Sequence, residues 1–173
     1  MTIAVSTTLV VAAHPCPESF GAAVRDRVLA GLARAGCPHE LIDLHERHYD
    51  PFLPFPARDA ELLADATSLV MVHPTWWTSQ PAILLAWLGQ AVEVGLPEVR
   101  SLVTVTTLGG SRLANFVGGE SGARVVDRVI RSRCPRRPVH HRLALYGLDR
   151  STARHREAFL DGVEQQIAGL VVR

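Results

Sequence analysis

The residues that could do chemistry fall in three short stretches. His73-Pro74-Thr75-Trp76-Trp77-Thr78-Ser79-Gln80 sets two adjacent indoles among hydroxyl groups, a surface suited to a flat, π-rich ligand. In His14-Pro15-Cys16-Pro17-Glu18 two prolines forbid both strand and helix. Ser19 can then cap a helix whose first amides form a ready anion site. Thr107-Leu108-Gly109-Gly110-Ser111 carries paired glycines, which let backbone approach a ligand closely. Each stretch also has a plain structural reading: indoles capping the core, a β-α turn, and a tight turn.

Other chemistries are excluded. Cys16 in an anion loop suggests a thiolate nucleophile, but phosphatases of that kind need Arg six residues on, and position 22 is Ala. Neither G-x-G-x-x-G nor G-K-[ST] is present. All 18 basic residues are Arg, so Schiff-base and lysine-nucleophile chemistry are unavailable. His45-x-x-His48 lacks an evident third ligand, and no metal is expected. Three cysteines without C-x-x-C spacing argue against a disulfide framework and for a reducing, cytoplasmic setting. A formal charge of +1 provides no strong field for nucleic acid or an anionic membrane. No apolar run approaches membrane-spanning length, so no membrane insertion is expected. The densest charge run is Arg131, Arg133, Arg136, Arg137, His140, His141 and Arg142. It reads as a solvated rim or as a surface for an NADPH phosphate or an acidic partner.

The 173 residues fit a single domain, 1–173, with 47% hydrophobic and 20% charged residues as in ordinary globular proteins. Buried-strand runs are predicted at Leu9–Ala13, Glu40–Leu44, Leu69–Val72, Leu102–Thr106 and Leu143–Tyr146. Helices are predicted from Ser19 to Gly36 (Phe20, Val24, Val28 and Leu32 inward), over Arg58–Ala66, and after Pro81 (Leu84, Trp87, Leu88 and Ala91 inward). Two more are predicted over Gly122–Arg133 and from about Thr152, the last with Phe159, Val163, Ile167 and Leu170 inward. The segment His45 to Ala57 holds Pro51, Pro54 and Pro56 and should be irregular. Strands alternating with helices predict a parallel five-stranded sheet in the order 2-1-3-4-5, with helices on both faces: an α/β, flavodoxin-like three-layer sandwich. In that order strands one, three and four are neighbours, which brings the three stretches to one edge. Together the anion site, aromatic surface and close backbone match the phosphate, ring edge and ring face of a flavin mononucleotide.

On these residues the chain resembles the flavodoxin-like NAD(P)H:quinone oxidoreductases. The resemblance is carried by His14 with Ser19-Phe20, Ile42-Asp43-Leu44 then Asp50-Pro51, and Ala64-Asp65. It continues through Pro74-x-x-Trp77, Pro81-Ala82-Ile83-Leu84 with Trp87, and the Thr-rich strand ending in Gly109-Gly110. It implies a flavin-binding homodimer that reduces quinones or similar small-molecule electron acceptors by two electrons from NAD(P)H in ping-pong fashion. The phosphate would be held by His14, Glu18, Ser19, Phe20 and Gly21. The ring would be held by Pro74, Thr75, Trp76, Trp77 and Thr78, with Thr107, Leu108, Gly109 and Gly110 at its polar edge. Trp77 and Phe116 would meet the acceptor. The chain departs from the family at Gly21, where Asn is usual, and at Leu85 and Gly89-Gln90, where a Lys and an acidic residue are usual. It departs also at Leu108, which lengthens the third loop, and at Asn115 and Phe116, which stand where some members place a Tyr and a His. The short tail after the last helix favours FMN over FAD. The alternative is a non-catalytic module of the same fold, a regulatory subunit or electron carrier.

Overall fold

The computed structural model describes residues 7–113 and 124–171. Its elements are β1 (Thr7–Ala12), α1 (Phe20–Arg34), β2 (His39–Asp43), α2 (Ala57–Asp65), β3 (Ala66–Thr75), α3 (Ala82–Val94) and β4 (Ser101–Leu108). There follow a π-helical turn (Val126–Ile130) running into α4 (Arg131–Arg133), then β5 (Val139–Tyr146), a 3-10 turn (Leu148–Arg150) and α5 (Ala153–Val171). The five strands form one sheet in the order β2-β1-β3-β4-β5, every pair parallel. This is the predicted topology.

Alternation along the strands supplies two cores. Leu9, Val11, Leu69, Met71 and Leu102 face one side and pack with Leu63 of α2, Leu84, Trp87 and Leu88 of α3, and Val126 and Ile130. Val10, Val70, Val72, Val103 and Val105 face the other and pack with Val24, Val28 and Leu32 of α1 and Leu160, Val163 and Ile167 of α5. The inward face of α3 is the predicted one. That of α5 is rotated slightly, with Leu160 and Val171 buried and Phe159 and Leu170 at its flanks.

Three strands run longer than their apolar cores suggest. β3 continues through His73, Pro74 and Thr75, pairing Pro74 with Thr107 and Thr75 with Leu108 of an equally extended β4. Proline is tolerated because the Val72 carbonyl accepts from the Ala13 amide, so by alternation the missing N–H of Pro74 faces a β1 that has already ended. Pro74, Thr75, Thr107 and Leu108 are therefore strand residues, not loop residues. β5 begins four residues before the predicted Leu143, taking in His140, His141 and Arg142. Polar residues suit an edge strand: of the charge run, His140, His141 and Arg142 are half-buried here, while Arg133, Arg136 and Arg137 are exposed, as a solvated rim would be. His140 Nε2 meets Thr104 Oγ1 at 3.0 Å and its Nδ1 meets Asp127 Oδ1 at 3.1 Å, with burial holding its pKa below the ordinary value. Arg131 Nε donates to the Pro138 carbonyl. This cluster begins at the amino ends of the strands, opposite the three chemical stretches.

The irregular segment after β2 is tied to α3. Tyr49 Oη donates to Gln90 Oε1 at 2.8 Å, and Gln90 Nε2 donates to the carbonyls of Pro51 and Leu53. Beneath it, wholly buried Trp87 donates its indole N–H to Asp59 Oδ2 at 2.9 Å, and Arg47 pairs with Asp59 Oδ1 at 2.7 Å. No described helix is long and apolar enough to cross a membrane.

Candidate functional site

At the carboxyl ends of β1, β3 and β4 an open cleft of about 910 Å³ brings together His14, Ser19, Phe20, Gly21, Pro74, Thr75, Trp76, Trp77, Thr78, Thr107, Gly109 and Gly110. The predicted constellation thus converges on one site. Two expected contacts fall outside its walls: Glu18 is exposed and does not line the cleft, and Leu108 is buried within β4. Phe116 and Asn115 lie outside the described residues.

The first wall is a helix start. Ser19 caps α1, its Oγ accepting from the Ala22 amide at 3.1 Å. The amides of Phe20 and Gly21 are left without a partner inside the helix, facing the cleft with the positive end of the helix dipole behind them. His14 Nδ1 accepts from the Cys16 amide at 3.1 Å, which puts the imidazole proton on Nε2. Burial depresses the His14 pKa, which favours this neutral form. Its ring meets Trp76 edge-on, centroids 6.4 Å apart. Gly21 permits this arrangement, since a Cβ there would stand 2.7 Å from His14 Cδ2.

The second wall is a four-residue reverse turn. Trp76 and Ser79 exchange two backbone hydrogen bonds, and the central residues Trp77 and Thr78 have φ of 50° and 66°. Positive φ at both central positions is the type I′ signature, normally filled by Asn and Gly. An indole and a β-branched side chain are held there instead, against their conformational preference. The turn lifts Trp77 clear of the protein, 98% exposed. His73, three residues before the turn, is by contrast fully inside. Its Nδ1–H donates to the Pro74 carbonyl at 2.9 Å, and burial lowers its pKa to about 4.

The third wall comprises Thr107, Gly109 and Gly110, joined to a loop that sequence reasoning missed. Gly147, at φ 67°, donates its amide to the Gly110 carbonyl at 2.9 Å, and Leu148 and Asp149 complete the cleft. Asp149 lies over Gly109: a Cβ on that glycine would be 2.5 Å from Asp149 Oδ2. The available signal was the strand order itself, which sets the turn after β5 beside the glycines after β4. Among the described residues no group of three or more His, Cys, Asp or Glu could hold a metal ion.

Parallel strands in this order, with an open cleft at the switch point between β1 and β3, define the flavodoxin-like class. The chain belongs to the Flavodoxin_2 family, of flavodoxin-like fold, which matches residues 6–118. Among solved structures it is similar to Smu.1420 from Streptococcus mutans, with a TM-score of 0.79 at 22% identity over 94% of this chain and 99% of that one. It is similar also to an NAD(P)H:quinone oxidoreductase from Methanothermobacter marburgensis (TM-score 0.77, 19% identity, 95% and 98% covered). A third is an FMN-dependent NADH-azoreductase from Bacillus anthracis in complex with FMN (TM-score 0.69, 14% identity, 96% and 99% covered). These likenesses are of fold. None of the curated proteins compared matches the chain significantly.

Proposed function

We propose that this chain is a flavin-dependent NAD(P)H oxidoreductase that binds FMN in the cleft and reduces quinones or similar acceptors. The observation that carries the reading is the meeting, in one cleft, of free helix-start amides, a tryptophan-bearing turn and paired glycines. The residues suit the group. The Phe20 and Gly21 amides, with Ser19 and the Nε2–H of neutral His14, would take the phosphate. Pro74, Thr75 and the Trp76–Thr78 turn would hold the ring, and Gly109 and Gly110 would bring backbone donors to its polar edge. Glu18 and Leu108 are not given a role.

Bound flavin supplies hydride acceptance and donation. The chain's contribution is to fix the ring, shield it from water on one side and leave the other open. A single open side obliges nicotinamide and acceptor to enter in turn, the basis for ping-pong kinetics, with Trp77 at the mouth. The protein purified from cells should be yellow and release FMN on denaturation. A colourless protein that takes up no added FMN overturns this reading. Steady turnover of NADPH with a quinone distinguishes the enzyme from a non-catalytic module.

The domain is read as one flavin-binding unit, cytoplasmic, and as half of a homodimer. On α3, Leu84, Trp87 and Leu88 belong to the chain's own core and are not available to a partner. The dimer reading rests instead on Phe52 (95% exposed), Leu53 and Trp77, apolar side chains that a monomer would leave in water. Sedimentation showing only monomer at micromolar concentration would exclude it.

A further inference from the structure

The cleft has an uneven charge. Among its described lining residues Asp149 is the one carboxylate, with no Arg on the wall to offset it, and burial lowers the pKa of His14. Asp149 comes from the turn after β5, covers Gly109, and is held there by the bond from Gly147 to Gly110. It therefore stands at the glycine end of the cleft, away from the α1 amides that would neutralise an anion.

We propose that Asp149 sets the reducing power of the site by disfavouring negative charge on a bound flavin ring. The inference rests on the FMN reading above and deepens it. Two-electron reduction with uptake of one proton leaves the ring with one more negative charge than its oxidised form. A fixed carboxylate near the ring's polar edge repels that charge and leaves the neutral oxidised ring almost unaffected. The site thereby binds oxidised FMN better than reduced FMN, and passes its electrons readily to acceptors of low potential. Asp149 is a tuning residue: it needs no contact with the acceptor and moves no proton.

The test compares wild type, Asp149→Asn and Asp149→Glu, each loaded with FMN. Asparagine keeps the shape and an acceptor oxygen while removing the charge. The affinity for oxidised FMN, read by fluorescence quenching, should change less than threefold in Asp149→Asn. Its preference for reduced over oxidised FMN should rise about tenfold, which raises a two-electron potential by about 30 mV in dye equilibration. Asp149→Glu should stay near wild type. Salt offers a measurement that needs no variant. The wild-type potential should rise toward that of Asp149→Asn in 1 M salt, where the screening length falls to about 3 Å. An unchanged potential in Asp149→Asn, or a salt-independent wild type, overturns the proposal while leaving FMN binding intact. A wild type that binds no FMN removes both readings together.

Discussion

Trp77 and Trp87 are ten residues apart and could hardly be placed more differently. Trp87 is wholly buried on α3, its indole N–H on Asp59 and its ring 5.7 Å from that of Phe55. Trp77 is 98% exposed at the centre of a strained turn. One side chain has every apolar atom and its donor satisfied by the fold. The other has almost nothing from the fold, and its backbone is held where L-residues are disfavoured. A large aromatic kept in water by a turn that resists it points to a ligand or a second chain, not to packing.

Substitution should separate the two sites. Trp87→Ala leaves a cavity and removes the donor to buried Asp59, and should cost about 3–5 kcal/mol in denaturant unfolding of the apo protein. Trp77→Ala should leave that midpoint within about 0.5 kcal/mol. It should weaken FMN binding by about 1 kcal/mol, roughly fivefold, through lost stacking. If Trp77→Ala unfolds like Trp87→Ala while its folded fraction binds FMN normally, the contrast fails.

The border between the two regimes lies just after His73, and pH can locate it. His73 has a native pKa of about 4 against roughly 6.5 in the unfolded chain. Between these values the unfolded state binds more protons, so stability rises with pH. The contribution is fully present above about pH 6.5 and is lost as pH falls toward 4, about 3 kcal/mol in all. Urea midpoints between pH 7 and 4.5 should trace this loss, and His73→Gln should flatten it. A flat wild-type profile would place the imidazole in water and move the border inward.

The smallest effect concerns the turn. Thr78→Gly should relieve positive φ and stabilise the apo protein by about 0.5–1 kcal/mol, read as a raised thermal midpoint. An unchanged or lowered midpoint would mean the turn is not strained in solution.

Much of this was legible beforehand, and the failures have physical causes. Periodicity located α1 and the buried face of α3 because one stripe of each is apolar and its neighbours are not. The ends of β3 and β4 were misread because Pro74 and the threonines mimic a loop. Only the early end of β1, a tertiary fact, makes proline harmless there. β5 was cut short because His140, His141 and Arg142 look solvated, although His140 is buried in a bonded chain with Thr104 and Asp127. Asp149 carries no local signature at all. It belongs to the cleft through a neighbouring strand.

The contact between Gly21 and His14 bears on how such a site can change over generations. His14 is fixed by the Cys16 amide and the edge of Trp76, and any side chain at position 21 would begin 2.7 Å from its ring. The resemblance pairs a histidine like His14 with Asn at position 21, so a larger residue there requires the imidazole to swing aside, not to be lost. Positions 14 and 21 are therefore sterically coupled, and a change at one alters the room open to the other.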